Sequence, residues 1–209
     1  MIALYLSDTQ ISLAHYSRVR STPLLVNITA VDLQGSLVDD LSREELAVNH
    51  LIHGIQEAND KVFITGNEIL ISLTDALVKH EVFQTEQDMS DADIITLVEW
   101  KKDKRWGSTA EKFKAFIELY NDRRQGHIIY VHDFLIQATK KILQTFSGSP
   151  VWLGTESMVL SALGELPIMT IKLTSSHYDV FHMDRDNING GTVTHGKSGL
   201  NCINSFGNK

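Results

Sequence analysis

The order in which strand and helix signals follow one another constrains this chain more than any single motif. Ala3 to Leu6, Ile11 to Val19 and Pro23 to Leu33 are runs rich in Leu, Val and Ile, the first two parted by a polar turn with Ser7, Asp8, Thr9 and Gln10, so three meandering strands open the chain. A helical pattern comes next, in which Leu46, Val48, Leu51, Ile52 and Ile55 recur at helix spacing up to about Ala58 behind the capping pair Ser42 and Glu45. Val62 to Ile64 reads as a buried strand, and Glu68 to Leu73 as another after the Gly66-Asn67 turn.

Further along, Ser90 with Asp93 caps an amphipathic helix through Ile94, Leu97 and Val98 to Trp100. Lys112 to Asn121 carries two signals. Ser108 and Glu111 suggest a capped helix, whereas the turn from Asp122 to Gly126 ahead of the strand His127 to Val131 suggests a hairpin, and we read a hairpin. Leu135 to Phe146 is a helix stopped by Ser147-Gly148, Val151 to Leu153 a strand, and Ser157 to Leu163 a helix ending at Gly164. Pro167 opens a strand region from Ile168 to Met183, with a Thr-Ser-Ser turn inside it. Asn187 to Gly191 reads as a hairpin turn before a return strand, Thr192 to His195, and a tail.

Composition narrows the function classes. With 43% apolar and 22% charged residues over 209 positions, the chain can bury a real core. A net charge of −7 argues against a nucleic-acid or anionic-membrane surface, since either needs clustered cations to replace counterions. The longest basic stretch, Lys101 to Arg105, lies at a helix end, where cations favour the dipole. The single cysteine, Cys202, leaves no intramolecular disulfide and no cysteine-based metal site, which suits a reducing cytoplasm. No apolar run approaches the roughly 20 residues needed to span a bilayer, so direct membrane insertion is not expected and a partner would have to recruit the chain to a membrane.

The strand pair ending in Leu70-Ile-Ser-Leu, the helix from Ser90 to Trp100, the strand His127 to Val131 with its following helix, and Val151-Trp-Leu-Gly-Thr-Glu-Ser-Met-Val-Leu-Ser-Ala-Leu163 come in an order that resembles the middle of PilM. PilM is the actin-like platform protein of type IV pilus assembly, and its relatives include the cytoplasmic part of the type II secretion protein GspL. The resemblance implies an α/β fold of the actin-like (ribonuclease H-like) class: a mixed sheet with flanking helices and an inserted small α+β subdomain, the second half truncated at Lys209. It divides the chain into residues 1-69 with 132-166 as the first actin-like subdomain, 70-131 as the insert, and 167-209 as the start of the second subdomain.

In that family two strand-turn-strand loops grip the phosphates of one nucleotide. The first has an Asp-Ile-Gly-Ser-Ser pattern, and this chain offers Tyr5-Leu6-Ser7-Asp8-Thr9, with Tyr5 in place of the acid and Ser7 in place of the glycine. The second resembles Asp-Ile-Gly, and here Lys172-Leu173-Thr174-Ser175-Ser176 stands there, a cation for the carboxylate. Phosphoanhydride hydrolysis depends on positioning Mg²⁺ and water around developing charge, so the resemblance implies a non-hydrolysing scaffold with no cofactor and no catalytic residue. It would be a cytoplasmic protein that docks protein partners of a pilus or secretion apparatus. The alternative is nucleotide binding through displaced residues: Asp8, Thr9, Thr174, Ser175 and Ser176.

Two further signals bear on chemistry. Gly191-Thr-Val-Thr-His-Gly-Lys-Ser198 matches the P-loop expression in full, which would set Gly196, Lys197 and Ser198 on phosphates and Mg²⁺. It works only if a helix begins at once, and the sequence after it is poor in helix formers, so a P-loop nucleotidase ranks third. Nine histidines invite a metal, but His50 and His53 on one helical face have no third ligand nearby, and His132-Asp133 lacks a nucleophile elbow. The insert carries Phe83, Trp100, Trp106, Phe113, Phe116 and Tyr120. Most should form a small core, while at least one of Trp100, Trp106 and Phe116 is expected to be exposed as a partner-binding anchor.

Overall fold

A computed structural model describes residues 1-19, 22-85, 89-120, 125-161, 168-173, 177-183, 188-196 and 199-207. Contact density divides the chain into two compact units, Met1–Val78 with Val131–Glu156, and Lys79–Tyr130 with Ser157–Lys209.

The first unit is built on a five-stranded sheet. The three opening runs become β1 (Ile2–Leu6), β2 (Gln10–Val19) and β3 (Thr22–Asp32), a meander in which both pairings are antiparallel. Two later strands, β4 (Glu68–Leu73) and β8 (Ser149–Thr155), join parallel to β1, giving the order β3-β2-β1-β4-β8. Parallel neighbours need a crossover. Helices α2 (Glu44–Lys61) and α4 (Asp133–Thr145) lie in the two connections, and a short α1 (Leu37–Asp40) precedes α2.

One apolar sheet face results from the strand period of two. Register aligns Ile2 with Ile69, Leu4 with Ile71 and Leu6 with Leu73, and on the other side Leu4 with Leu13 and Leu6 with Ile11; all are buried. Against them α2 brings Ala47, Leu51, Gly54, Ile55 and Ala58, and α4 brings Leu135, Ile142 and Leu143. Gly54 marks the closest approach, because a Cβ there would stand 2.6 Å from Leu33 Cδ2 and 2.7 Å from Ile11 Cδ1.

The second unit holds two sheets. In the insert, β5 (Val78–Gln84), β6 (Phe113–Tyr120) and β7 (Gln125–His132) form a three-stranded sheet in the order β5-β7-β6 with α3 (Asp91–Trp106). Phe83, Ile94, Val98, Phe113, Ile128 and Tyr130 make its core. After the short α5 (Glu156–Ser161), β9 (Ile168–Leu173), β10 (His177–Met183), β11 (Ile188–Gly196) and β12 (Gly199–Gly207) form an antiparallel meander.

Most expected elements are present, with instructive differences. Val62 to Ile64 is not a strand. The Val62 amide closes α2 on the Ala58 carbonyl and the Ile64 amide donates to Asn59 Oδ1 at 2.9 Å, so the donors a ladder would use are taken. Ser42 does not cap α2, whose N-cap is Arg43 without a side-chain bond. The Ser90-Asp93 capping box forms in full, but α3 runs on to Trp106 before Gly107 ends it at φ +55°. The hairpin reading of Lys112 to Asn121 holds as β6, and Ser108 and Glu111 sit in a 3₁₀ turn before it. Ile188 to Gly191 belong to β11 rather than to a turn, with Asn187 outside the described residues, and the expected tail is strand β12.

The tight seat of Gly54 yields a measurable expectation. Gly54→Val should cost about 1–3 kcal/mol in urea unfolding through overpacking. Gly54→Ala should fall nearer neutral, because about 1 kcal/mol of helix propensity offsets the displacement of Leu33 and Ile11.

Candidate functional site

In open sheets with parallel strands, ligands bind beyond the carboxyl ends of those strands. Here β1, β4 and β8 end together, since Leu6 pairs with Leu73 and Leu73 with Thr155. The residues just past these ends are Ser7 and Asp8, Thr74 and Asp75, and Glu156.

Glu156 is the centre of this edge. It is buried at 8% exposure, and its carboxylate accepts from Tyr5 Oη at 2.6 Å, Thr74 Oγ1 at 2.8 Å and the Asp75 amide at 3.2 Å. A buried carboxylate is tolerated only with such donors. Tyr5 thus donates to an acid from another strand end.

The turn after β1 is equally committed. Ser7 Oγ accepts from the Gln10 amide at 2.9 Å and donates to the Gln10 carbonyl at 3.0 Å. Asp8 Oδ1 accepts from Ser36 Oγ at 2.6 Å and the Val38 amide at 2.9 Å, while the Asp8 carbonyl receives the Leu37 amide at 2.8 Å. Ser36 in turn caps α1 by accepting from the Asp39 amide. Asp8 therefore fastens the β1–β2 turn to the start of α1, and Thr9 beside it is exposed. Just past this point Asp40 is buried between Arg43 and His50, with His50 Nδ1 3.1 Å away.

The other sequence candidates are scattered away from this edge. Lys172 lies in β9, in register with Asp179 of β10, and Thr174, Ser175 and Ser176 lie outside the described residues. The P-loop reading fails on the element downstream of the motif. Gly191 to Gly196 is strand, Gly196 pairs with Gly199, and strand β12 stands where the motif requires a helix; Lys197 and Ser198 lie outside the described residues. His53 is exposed and His132 is the N-cap of α4. Among the described residues no group of three His, Cys, Asp or Glu is placed to hold a metal ion.

The insert's aromatics separate by exposure. Trp106 stacks on Phe113 with centroids 4.4 Å apart and meets Tyr130 edge-on at 4.6 Å, and Phe116 is half-buried. Trp100 is 55% exposed, with Lys104 Nζ 4.9 Å from its ring centroid. The basic stretch is more engaged than a solvated helix end: Lys101 bonds Glu81 at 2.8 Å, Arg105 lies 3.6 Å from the same carboxylate, and Lys102 pairs with Glu99. Burial, reinforced by the Glu81 charge, pushes the Tyr130 hydroxyl well above the usual phenol range, and that hydroxyl donates to Glu81 at 3.1 Å. A phenol raised in the fold contributes stability that is complete below its unfolded value of about 10 and is lost as pH rises beyond it.

No protein-family model matches the chain, and no curated protein matches it in sequence. Solved structures do match. A chain of the PilM-PilN type IV pilus biogenesis complex aligns at TM-score 0.68 and 12% identity, over 94% of this chain and 62% of that one. The cytoplasmic domain of EpsL, an inner-membrane component of the type II secretion system of Vibrio cholerae, aligns at 0.58 and 10% identity, over 93% and 71%. The fold is actin-like. At these identities the likeness is one of fold, and it agrees with the strand order and the crossover helices described above. The chain spans less than two thirds of the PilM-complex chain's length. Among the described residues no helix is long and apolar enough to cross a membrane.

The sequence reading missed Glu156. The signal present was a repeat in kind, Leu73-Thr74-Asp75 at the end of β4 and Gly154-Thr155-Glu156 at the end of β8, a Thr followed by an acid where each strand stops. Removing the Tyr5 donor should be felt directly. Tyr5→Phe is expected to cost about 1.5–3 kcal/mol, the range for a hydrogen bond to a charged group. Glu156→Gln, which keeps an acceptor, should cost less than Glu156→Leu in the same denaturation experiment.

Proposed function

We propose that this chain is a non-hydrolysing scaffold of a type IV pilus or type II secretion platform, working on the cytoplasmic side of the membrane by docking protein partners. The observation that carries the reading is the bond from Tyr5 to Glu156. At the strand end where the resembling ATPases place a metal-directing acid, this chain has a phenol that donates to a neighbouring carboxylate. The Asp8 carboxylate, the nearest replacement acid, already accepts two hydrogen bonds that hold α1. A metal or phosphate arriving here would have to break bonds that stabilise the fold.

The setting comes from the fold neighbours. One forms a complex with PilN in pilus biogenesis and another is the cytoplasmic domain of a secretion component. A chain of the same fold with disarmed phosphate loops suits retention for docking. On its surface the exposed indole of Trp100 is the best placed anchor, since large exposed aromatics contribute disproportionately to interfaces.

Two measurements test this. With millimolar ATP and Mg²⁺ the melting temperature should not rise and phosphate release should match a catalytically dead control; ligand binding to the native state must stabilise it. Turnover that disappears in Asp8→Ala would overturn the scaffold reading in favour of displaced-loop nucleotide binding. Trp100→Ala should melt within about 0.5 kcal/mol of wild type and yet weaken binding to the short cytoplasmic segment of a membrane-anchored pilus or secretion partner by about tenfold or more; unchanged binding would remove Trp100 from the interface.

A further inference from the structure

Strand β3 is an open edge of the five-stranded sheet and, at 11 residues, its longest strand. Four of its apolar side chains are exposed, Leu24 at 55%, Leu25 at 47%, Val26 at 55% and Ile28 at 63%, with Asn27 exposed among them. From Thr22 through Val31 it contains no charged residue. Edge strands are normally protected by lysines, inward charges, prolines or bulges. β3 has Pro23 near one end and a register slip at Val26, and the Ile28 amide is met by the Asn27 side chain at 2.8 Å.

The geometry makes this exposure more pointed. Three pairs, Ser17 with Leu24, Arg18 with Pro23 and Val19 with Thr22, run beyond the start of β1 as a two-stranded ribbon. A two-stranded ribbon without further cover is marginal in water. The rest of β3 is fixed by its pairing to β2 and by Asn27, whose amide donates to the Lys61 carbonyl at the end of α2 at 3.0 Å. Beyond the ribbon the edge is thus held in an extended form.

We propose that β3 is a self-association edge: a second copy of this chain pairs its β3 antiparallel to this one, about a two-fold axis between Leu24 and Ile28, joining the two sheets into one. Two features select a second copy. A strand paired antiparallel with itself is self-complementary, so the apolar row Leu24 to Ile28 meets the same row without any matching surface elsewhere. Each copy carries a net charge of −7, and a chargeless edge is where two such molecules approach with least repulsion. One strand pair is smaller than a standard interface of about 800 Å² per partner, so the dimer should form in the micromolar range.

Sedimentation velocity of the full chain over about 1 to 100 µM is the direct test, with a monomer–dimer equilibrium expected in that range. Ile28→Lys and Leu24→Lys should each weaken dimerisation about tenfold or more by setting a charge against the apolar side chain opposite it in the other copy, and the double variant should weaken it further by placing like charges opposite each other. Ile95→Lys, a similar change at an exposed position of α3, should leave it unchanged. In the wild type, hydrogen exchange of the 24-31 amides should slow as concentration rises, a readout that needs no variant. The proposal is overturned by a chain that stays monomeric throughout, by a dimer indifferent to the β3 lysines, or by equal loss in Ile95→Lys. Exchange at β3 that ignores concentration and slows only when another protein is added overturns it too, since the occupant is then a different chain.

Discussion

Glu156 is a carboxylate buried to 8% exposure, and the desolvation of a buried ion costs several kcal/mol after relaxation. Donors from Tyr5 and from the Thr74-Asp75 turn offset that cost, at about 1.5–3 kcal/mol for each hydrogen bond to a charged group. The carboxylate and its donors sit on the ends of three adjacent strands, so the same contacts that make the charge tolerable also fix where β1, β4 and β8 stop. The charge balance of this edge is closed within the chain.

The same economy extends along the edge. Asp8 holds the β1–β2 turn to α1, and further along the chain Asp40 is buried between Arg43 and His50. Acids at this end of the sheet bind amides, hydroxyls and cations of their own chain. In the second unit Glu81 does likewise, receiving Lys101, Arg105 and the Tyr130 hydroxyl, so a basic stretch that suggests a charged surface serves to bind α3 to β5.

The features legible in the sequence are those that depend on near neighbours. The α3 cap lies within four residues, and its box forms as expected; β6 and β7, apolar runs close together in sequence, stand side by side in their sheet. Val62 to Ile64 misled because burial alternates there, with Val62 and Ile64 inside and Phe63 72% exposed, the same signature as a half-buried strand. Only the hydrogen bonds tell them apart, and those depend on Ala58 and Asn59 of the preceding helix. β12 was obscured by Gly199, Asn201, Asn204 and Gly207, residues poor in strand propensity that are carried by pairing to β11. The Glu156 cluster joins partners 82 and 151 residues apart. No periodicity encodes a contact of that range, and only the parallel pairing of β1, β4 and β8 brings it about.

The three tryptophans sit in three different environments. Trp106 is stacked on Phe113 and set edge-on to Tyr130 in the insert, Trp100 projects from α3 beneath a lysine, and Trp152 lies at the β8 edge of the other unit, 39% exposed. Indole emission depends on the polarity and ring contacts around each one. Single-tryptophan versions of this chain would therefore carry their own optical labels, one for the melting of each unit and one for events at the surface of α3, with no dye attached.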